Sequence, residues 1–279
     1  MMPSLAIRRF ILIAALSVAI DCAANDQFSH PGGVAQLTLY KDSTDFPEVQ
    51  FGLNQPVIME YPDHWRILIG LSLETLPGDY VAYVKSGLKG SSGRYEKIVV
   101  KQHSYQFREY SSLKGNVSAQ AVNKTNDIFS DLDFSNTQQP SLPLRWPLDG
   151  NWSNNFGDQL YDTKRGDLHT PNAIAINVNK LSSVIAPQTA IISKIETSEA
   201  GVSTVYLDHG RGLYSILSGL SDITIKVGNG VVAGAVIGKL PATGKGAETN
   251  STPADHTLVW QTVINNAYVD PQVLTLLEP

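Results

Sequence analysis

The stretch of sequence that decides the fold is VSTVYLDHGRGLYSILSGLSDITIKVGNGVVAGAVIGKL, residues 202–240. Glycines separate short apolar runs rich in valine, isoleucine and tyrosine, a pattern typical of short strands in a compact β-core. The runs VSTVYL and LYSIL flank DHGRG, and this arrangement predicts a β-hairpin. Its turn requires a positive φ at Gly210 or Gly212, because glycine adopts that conformation without steric cost.

Several motifs within and around this stretch follow one another in a recognisable order. DHG stands at 208–210, YSILS at 214–218 and a glycine-punctuated run at 227–238, with WPLDGNWSNNFGD upstream and LVWQTVINNAYVDPQVL downstream. Together these motifs resemble the LytM or lysostaphin-type zinc endopeptidases of peptidoglycan. The resemblance implies an all-β, LytM-type peptidase-like domain over residues 144–279.

The zinc chemistry of that family depends on positions that this chain fills with other residues. In the family, a His-x-x-x-Asp segment and the second histidine of a His-x-His pair bind zinc, and two further histidines act on the water and the oxyanion. The resemblance assigns these five positions to Pro171, Ala175, Ile216, Thr257 and Val259. Proline and aliphatic side chains offer zinc no ligand atom. The sequence therefore predicts a degenerate groove without catalytic or metal-binding residues.

Two histidines close to these positions keep an alternative open. His169 precedes the first lost ligand by two residues, and His256 stands one residue before Thr257. A small insertion would align His169, whereas a one-residue slip turns a strand side chain to the opposite face unless a bulge compensates. His169 and His256 are the fallback metal candidates, while His209 in the DHG turn is interpreted as structural.

From this pattern we predict a pseudoenzyme that needs no cofactor. It would bind peptidoglycan, or regulate an envelope hydrolase such as an amidase, through the inherited groove. The alternative is a zinc metalloendopeptidase that cleaves peptidoglycan cross-links with rearranged ligands, and only this alternative requires zinc. In one interpretation the aromatic residues Trp152, Tyr214 and Trp260 are core residues or walls of the groove, and in the other they are platforms for a ligand.

The N-terminal half predicts a separate β module. Residues 25–104 contain strand candidates at the short spacing of a sandwich, separated by proline, glycine and asparagine, and resemble an Ig-like module. These candidates span residues 49–53, 57–61, 65–73, 80–84 and 95–100. Residues 105–143 show an imperfect helical periodicity and a proline-bearing end, so they predict a weak helix and a linker.

The start of the chain predicts export. Arg8 and Arg9 precede an apolar run at 10–20, and small residues follow at 22–24, as in a secretory signal peptide over residues 1–24. A retained anchor is the alternative, but the apolar run is short for a membrane span, so no transmembrane segment is expected in the mature chain. We therefore expect a periplasmic or secreted protein of the bacterial envelope.

Charge and cysteine content narrow the choice of partners. The whole chain has a formal net charge of −5 with 21 basic and 26 acidic residues. A mildly acidic protein without a cluster of basic residues argues against a nucleic-acid partner. Cys22 is the only cysteine, so disulfide bonds within the chain and cysteine-based zinc sites are excluded.

Overall fold

The computed structural model describes residues 22–25, 27–52, 56–110, 128–153, 155–178, 180–199, 201–240 and 257–278. Nearly all regular structure in these ranges is β-strand, which confirms the predicted all-β fold class. No helix in the described ranges is long and apolar enough to span a membrane. The predicted signal peptide lies outside these ranges except for residues 22–24, whose backbone forms part of the first strand.

Two antiparallel sheets form a sandwich in the N-terminal half. One sheet has the order β1-β2-β5-β4 and the other has the order β3-β6-β7. Their strands are β1 (Cys22–Asn25), β2 (Val34–Tyr40), β3 (Glu48–Gln50), β4 (Val57–Glu60), β5 (His64–Gly70), β6 (Gly78–Lys85) and β7 (Arg94–Val100). Alternate residues of both sheets point inward and share one apolar core, which includes Leu37, Trp65, Ile67, Val84 and Ile98.

An eight-stranded antiparallel sheet, the central sheet, organises the C-terminal half. Its strand order is β17-β14-β15-β16-β19-β12-β9, and β20 pairs with β19. The strands are β9 (Asn151–Ser153), β12 (Ile174–Asn177), β14 (Ala190–Thr197), β15 (Ser203–Gly210), β16 (Leu213–Leu220), β17 (Gly230–Val231), β19 (Thr257–Ile264) and β20 (Ala267–Val269). A two-stranded sheet joins β13 (Ser183–Ile185) to β18 (Val236–Lys239).

The hairpin predicted from DHGRG connects β15 to β16. Both Gly210 and Gly212 have positive φ angles, of 99° and 85°. Close contacts add to the requirement for glycine, because a Cβ atom on Gly210 would lie 2.0 Å from the carbonyl oxygen of Gln138. The chain ends in helix α1 (Pro271–Leu276), where the Asp270 side chain accepts a hydrogen bond from the backbone N–H of Gln272 at 2.9 Å.

The segment between the two halves was predicted to be a weak helix and a linker, but part of it forms a paired strand. Strand β8 (Phe107–Tyr110) pairs in parallel with β10 (Gln159–Asp162), which in turn pairs with β11 (Asp167–His169). Most of the predicted weak helix lies outside the described residues, and its described end is a 3₁₀ turn at Ile128–Asp131. The domain boundaries at 104 and 143 stay predictions.

Apolar side chains also join the two halves directly. Val34, Val57 and Leu68 of the first sheet belong to the same buried cluster as Leu144 and Leu274 of the C-terminal half. Removing these apolar surfaces from water stabilises the contact between the halves. The sandwich is therefore packed onto the domain that carries the candidate site.

Candidate functional site

Four of the five residues assigned to the family's chemical positions lie on one side of the central sheet, which we call the front face. Ala175 in β12 lies directly opposite Val259 in β19. Cross-strand partners in an antiparallel sheet point to the same side, and so do residues two apart on one strand. Thr257 therefore shares this side with Val259, and it pairs across the sheet with Asn177.

Ile216 lies on the same face, one strand away. It pairs with Gln261 of β19, and its strand neighbour Ser218 pairs with Val259. The fifth position, Pro171, is buried in the loop that leads into β12, and its carbonyl oxygen accepts a hydrogen bond from the backbone N–H of Gly157 at 2.8 Å. Four of the five assigned positions thus share one face, although their assigned roles remain predictions.

A segment of the chain itself covers part of the front face. Residues 128–136, which we call the strap, place Leu132 in a buried cluster with Tyr206, Tyr214, Ile216 and Val263. Phe129 and Phe134 of the strap pack against the same cluster. Only 2% of Ile216 is exposed to solvent, so this side chain is closed off from any ligand of the groove.

Hydrogen bonds fix the strap at the turn of the hairpin. Asn136 Nδ2 donates to Asp208 Oδ2 at 2.9 Å, and the backbone N–H of Arg211 donates to the carbonyl of Asn136 at 2.7 Å. The Tyr214 hydroxyl donates to the carbonyl oxygen of Asp133. Burial raises the pKa of the Asp208 carboxyl, although hydrogen bonds from Asn136 and Gly210 act in the opposite direction.

The other end of the strap is held by charged groups near the edge of the sheet. Lys194 Nζ lies 2.9 Å from Asp131 Oδ2 and 2.9 Å from Glu196 Oε1. The Tyr206 hydroxyl donates to Glu196 Oε2 at 2.6 Å, and this hydrogen bond is the main reason that the pKa of Glu196 is lowered. The strap is thus held both by apolar packing and by polar contacts.

Polar side chains that remain on the front face bind one another. Thr257 Oγ1 donates to Asn177 Oδ1 at 2.6 Å, and Gln261 Nε2 donates to Asn172 Oδ1 at 2.8 Å. Such amide and hydroxyl pairs position side chains but supply neither a general base nor a strong zinc ligand. Val259 is 95% buried and packs on Ala173, so the centre of the face is small and apolar.

The fallback metal candidates are only partly described. His169 ends β11, half-buried, with its ring 5.6 Å from that of Tyr110, and burial lowers its pKa while Asp162 and Asp167 oppose that shift. His256 lies outside the described residues. Within the described ranges, no group of three or more histidine, cysteine, aspartate or glutamate side chains is placed to hold a metal ion.

The remaining candidate residues have structural positions. His209 is completely buried; its Nδ1–H donates to the carbonyl of Thr189 at 3.0 Å, and the Ser215 hydroxyl donates to its Nε2 at 2.9 Å. Burial lowers the pKa of His209 to about 4. Tyr214 and Trp260 are both fully buried, and Trp260 points to the opposite side of the sheet from Val259. Tyr214 and Trp260 are therefore core residues and offer no platform for a ligand, whereas Trp152 stays partly exposed.

Sequence reasoning missed the strap. The signal was present, because Phe129, Leu132 and Phe134 are three large apolar residues in an otherwise polar segment, FSDLDFSN at 129–136. Their spacing of three and two residues matches neither a helix face nor a strand well, so a search for periodic patterns does not detect them. A segment without regular structure that carries large apolar residues usually packs on a core.

Comparison with known proteins identifies the domain that bears this face. Residues 169–271 match the model of peptidase family M23, and this part of the chain is an M23-type domain. A protein of Pseudomonas aeruginosa whose crystal structure is described as that of an M23 peptidase is 22% identical, with a TM-score of 0.59, over 88% of this chain and 95% of the other. This likeness shows a shared fold across most of the chain.

Other matches are more distant. The solution structure of lysostaphin is 20% identical over 48% of this chain and 49% of the other, with a TM-score of 0.34. A chain in the crystal structure of the SpoIIIAH–SpoIIQ complex is 17% identical over 48% of this chain and 98% of the other, with a TM-score of 0.35. No curated protein matches the chain.

Proposed function

We propose that this chain is a non-catalytic M23-type protein of the bacterial envelope that binds peptidoglycan instead of cutting it. The observation that carries the proposal is the pair Ala175 and Val259, which lie directly opposite each other in the adjacent strands β12 and β19. At these two positions the family resemblance expects an aspartate and a histidine that bind one zinc ion. A zinc peptidase needs three protein ligands and an open position for water. Two aliphatic side chains at this point remove two of those ligands together.

The surroundings of the pair support the same conclusion. Ile216 stands where the family's Tyr-x-His histidine would act on the oxyanion, and the strap buries it. The polar groups left nearby are neutral amides and hydroxyls that already bond to one another. Retention of the fold without its reactive groups suits a protein that recognises the family's substrate and leaves it intact.

The proposal is tested on the purified exported chain with three measurements. We expect it to sediment with purified peptidoglycan, to release no soluble fragments from it, and to contain less than about one zinc per ten chains, because two aliphatic residues replace ligands. Lysostaphin provides the positive control for lysis. Stoichiometric zinc together with release of fragments would overturn the proposal, and so would a failure to sediment.

A gain-of-metal variant tests the assignment of the positions themselves. We expect the triple change Pro171→His, Ala175→Asp and Val259→His to gain zinc, because it restores the three ligands that the resemblance assigns. The matched control replaces Gln261→His instead of Val259→His, on the same strand and face but one pair further along. Equal zinc uptake by both folded variants would show that the assignment is wrong.

The alternative, a zinc endopeptidase with rearranged ligands, depends on His169 and His256. If it holds, the unmodified protein binds one zinc per chain, and His169→Ala and His256→Ala each abolish both the zinc and the lysis. Absence of both zinc and lysis from the unmodified chain would leave the non-catalytic proposal in place, whereas zinc and lysis that persist in both variants would exclude these two histidines as the ligands.

Regulation of an envelope hydrolase is a second candidate, favoured by an exposed apolar row near the end of β10. Phe107 is 58% exposed and its ring lies 6.4 Å from that of Tyr161, which pairs across the strands with Leu168, 57% exposed. Exposed apolar patches of this kind commonly mark protein-binding surfaces. We expect a purified envelope amidase to change its rate in the presence of this chain, and Leu168→Ser to abolish the change if this row is the contact.

A further inference from the structure

The outer side of the three-stranded sheet in the sandwich carries a second feature, far along the chain from the central sheet. The inward residues of this sheet, Val49, Ala82 and Val84 among them, are buried in the sandwich core. Strand alternation therefore turns their neighbours outward. Three outward residues lie opposite one another across all three strands, because Gln50 pairs with Tyr83 and Tyr83 pairs with Tyr95.

This row borders a shallow cavity of about 440 Å³. The cavity is lined by Glu48, Gln50, Gly52, Val81, Tyr83 and Tyr95. Tyr95 is 72% exposed and Val81 is 58% exposed, so two apolar surfaces stay open to solvent. An aromatic ring, an aliphatic side chain, a carboxylate and an amide thus line one open depression, in which polar groups lie beside apolar surfaces.

The rings are held in a fixed arrangement. The centroids of Tyr83 and Tyr95 lie 5.6 Å apart with their planes at 63°, an edge-to-face geometry that is favourable for aromatic pairs. The backbone of Gly93 packs against the Tyr83 ring so closely that a Cβ atom there would lie 2.1 Å from it. Tyr83 is therefore fixed from behind while the neighbouring Tyr95 ring remains accessible, which limits the entropy lost when a ligand binds.

Polar groups beside the rings suit hydroxyl and acetamido groups. Gln50 Nε2 donates to Glu48 Oε1 at 3.0 Å, which leaves the carboxylate with further acceptor capacity and the amide with an unused carbonyl and N–H. The edge of a pyranose ring presents hydroxyl donors and acceptors, while its face presents C–H bonds that stack on an aromatic ring. One tyrosine face with this amide and carboxylate beside it matches both surfaces of a sugar.

Charge at this surface argues for a neutral ligand. Glu48 Oε2 lies 4.0 Å from Lys85 Nζ, and Asp79 Oδ2 lies 2.8 Å from Lys97 Nζ, so each charged group around the row has an opposite neighbour. A locally balanced surface gives no electrostatic attraction to a polyanion such as a nucleic acid. A neutral saccharide chain meets no penalty here.

We infer that the row Gln50, Tyr83 and Tyr95 is a saccharide-binding site for an N-acetylated pyranose chain. The choice of an N-acetylated chain rests on the proposed function, since the glycan strand of peptidoglycan consists of such sugars; saccharide binding by the row can be measured independently. Tyr95 stacks on one sugar ring, and Glu48 and Gln50 bind hydroxyl and acetamido groups of the same or the next ring.

The test uses the full exported chain and chitotetraose, a soluble chain of four N-acetylglucosamine units, in isothermal titration calorimetry. We expect saturable binding with a Kd on the order of 1 mM, a value typical of a small, open site. Tyr95→Ala should weaken binding by about fivefold or more through the lost stacking, and Tyr95→Trp should retain it. The matched control is Tyr40→Ala, which removes an exposed tyrosine from the other sheet and should leave the Kd within about twofold.

Two results would overturn this inference. One is no saturable binding by the unmodified chain, and the other is a Tyr95→Ala protein that is folded by circular dichroism and binds as tightly as the unmodified chain. Sedimentation with peptidoglycan distinguishes failure of the saccharide-site inference from failure of the proposed function. A chain that still sediments with peptidoglycan after Tyr95→Ala, while neither form binds chitotetraose, uses another surface for the wall.

Discussion

The two faces of the central sheet are built from the same strands, but their side chains are packed in different ways. The back face, with Ile174, Leu217 and Trp260, is completely buried in the largest apolar core of the molecule. The front face carries Ala175, Ile216 and Val259 on the alternate positions, partly closed by the strap. Residues of the back face are fixed by packing in the core, whereas residues of the front face lie outside that core and can differ without loss of the fold.

The largest effect is expected on the back face. Leu217→Ala should lower the free energy of unfolding by about 3 kcal/mol or more, because it removes a fully buried side chain from a core that can relax only in part. Urea unfolding followed by tryptophan fluorescence measures the loss. Ser218→Ala, one residue along on the front face, is the control and should change stability by less than about 1 kcal/mol. Similar losses in both would contradict the contrast between the faces.

The buried imidazole of His209, at the back of the hairpin, makes the free energy of unfolding depend on pH. Its pKa of about 4 lies below the ordinary value of 6.5, so the unfolded chain binds a proton between these values and the folded chain does not. The stability that neutral His209 contributes is present above pH 6.5 and is lost as the pH falls toward 4. Unfolding by urea should show the gap between the unmodified chain and His209→Gln shrinking by about 2 kcal/mol from pH 7.5 to pH 5.

Asp270 provides a control of opposite sign for that measurement. Burial raises the pKa of its carboxyl to about 6, so its ionisation costs stability as the pH rises from 4 through 6. Asp270→Asn retains a side-chain oxygen for the helix N-cap and should gain stability relative to the unmodified chain as the pH rises. A gap that moves in the same direction for His209→Gln and Asp270→Asn would show that at least one of the two groups does not titrate as described.

The strap is expected to contribute a smaller amount. Leu132→Ala should lower the free energy of unfolding by about 1 to 2 kcal/mol, less than Leu217→Ala, because the strap borders solvent and can relax into the space. It should also increase hydrogen exchange at the amide of Arg211, whose acceptor is the strap residue Asn136. No change in either measurement would mean that the strap does not close the front face in solution.

The smallest effect is expected at the charged end of the strap. Asp131→Asn removes a contact at 2.9 Å to Lys194, but the Asp131 side chain is more than half exposed and Lys194 keeps Glu196 as a partner. Exposed ion pairs contribute little because water and salt screen them, so we expect a loss below about 0.5 kcal/mol. Urea unfolding at low and high salt measures it, and a loss above that of Leu132→Ala would reverse the ranking of polar and apolar contacts.

Several features of the fold follow from the sequence without help from tertiary structure. The DHGRG turn required positive φ angles, and both Gly210 and Gly212 have them. The strand candidates of the N-terminal half correspond to β3–β7, because period-two patterns and turn residues act locally. The ordered motifs between residues 146 and 274 also predicted the M23-type domain that the family comparison identifies at 169–271.

Only the tertiary structure decided which of those residues meet. Ala175 and Val259 are 84 positions apart in sequence, and register alone places them opposite each other. The strap likewise covers Ile216 from more than 80 residues away, through packing that has no periodic signal. Local patterns fix strands and turns because they arise from neighbouring residues, whereas a face, its cover and the row from Gln50 to Tyr95 exist only after distant strands pair.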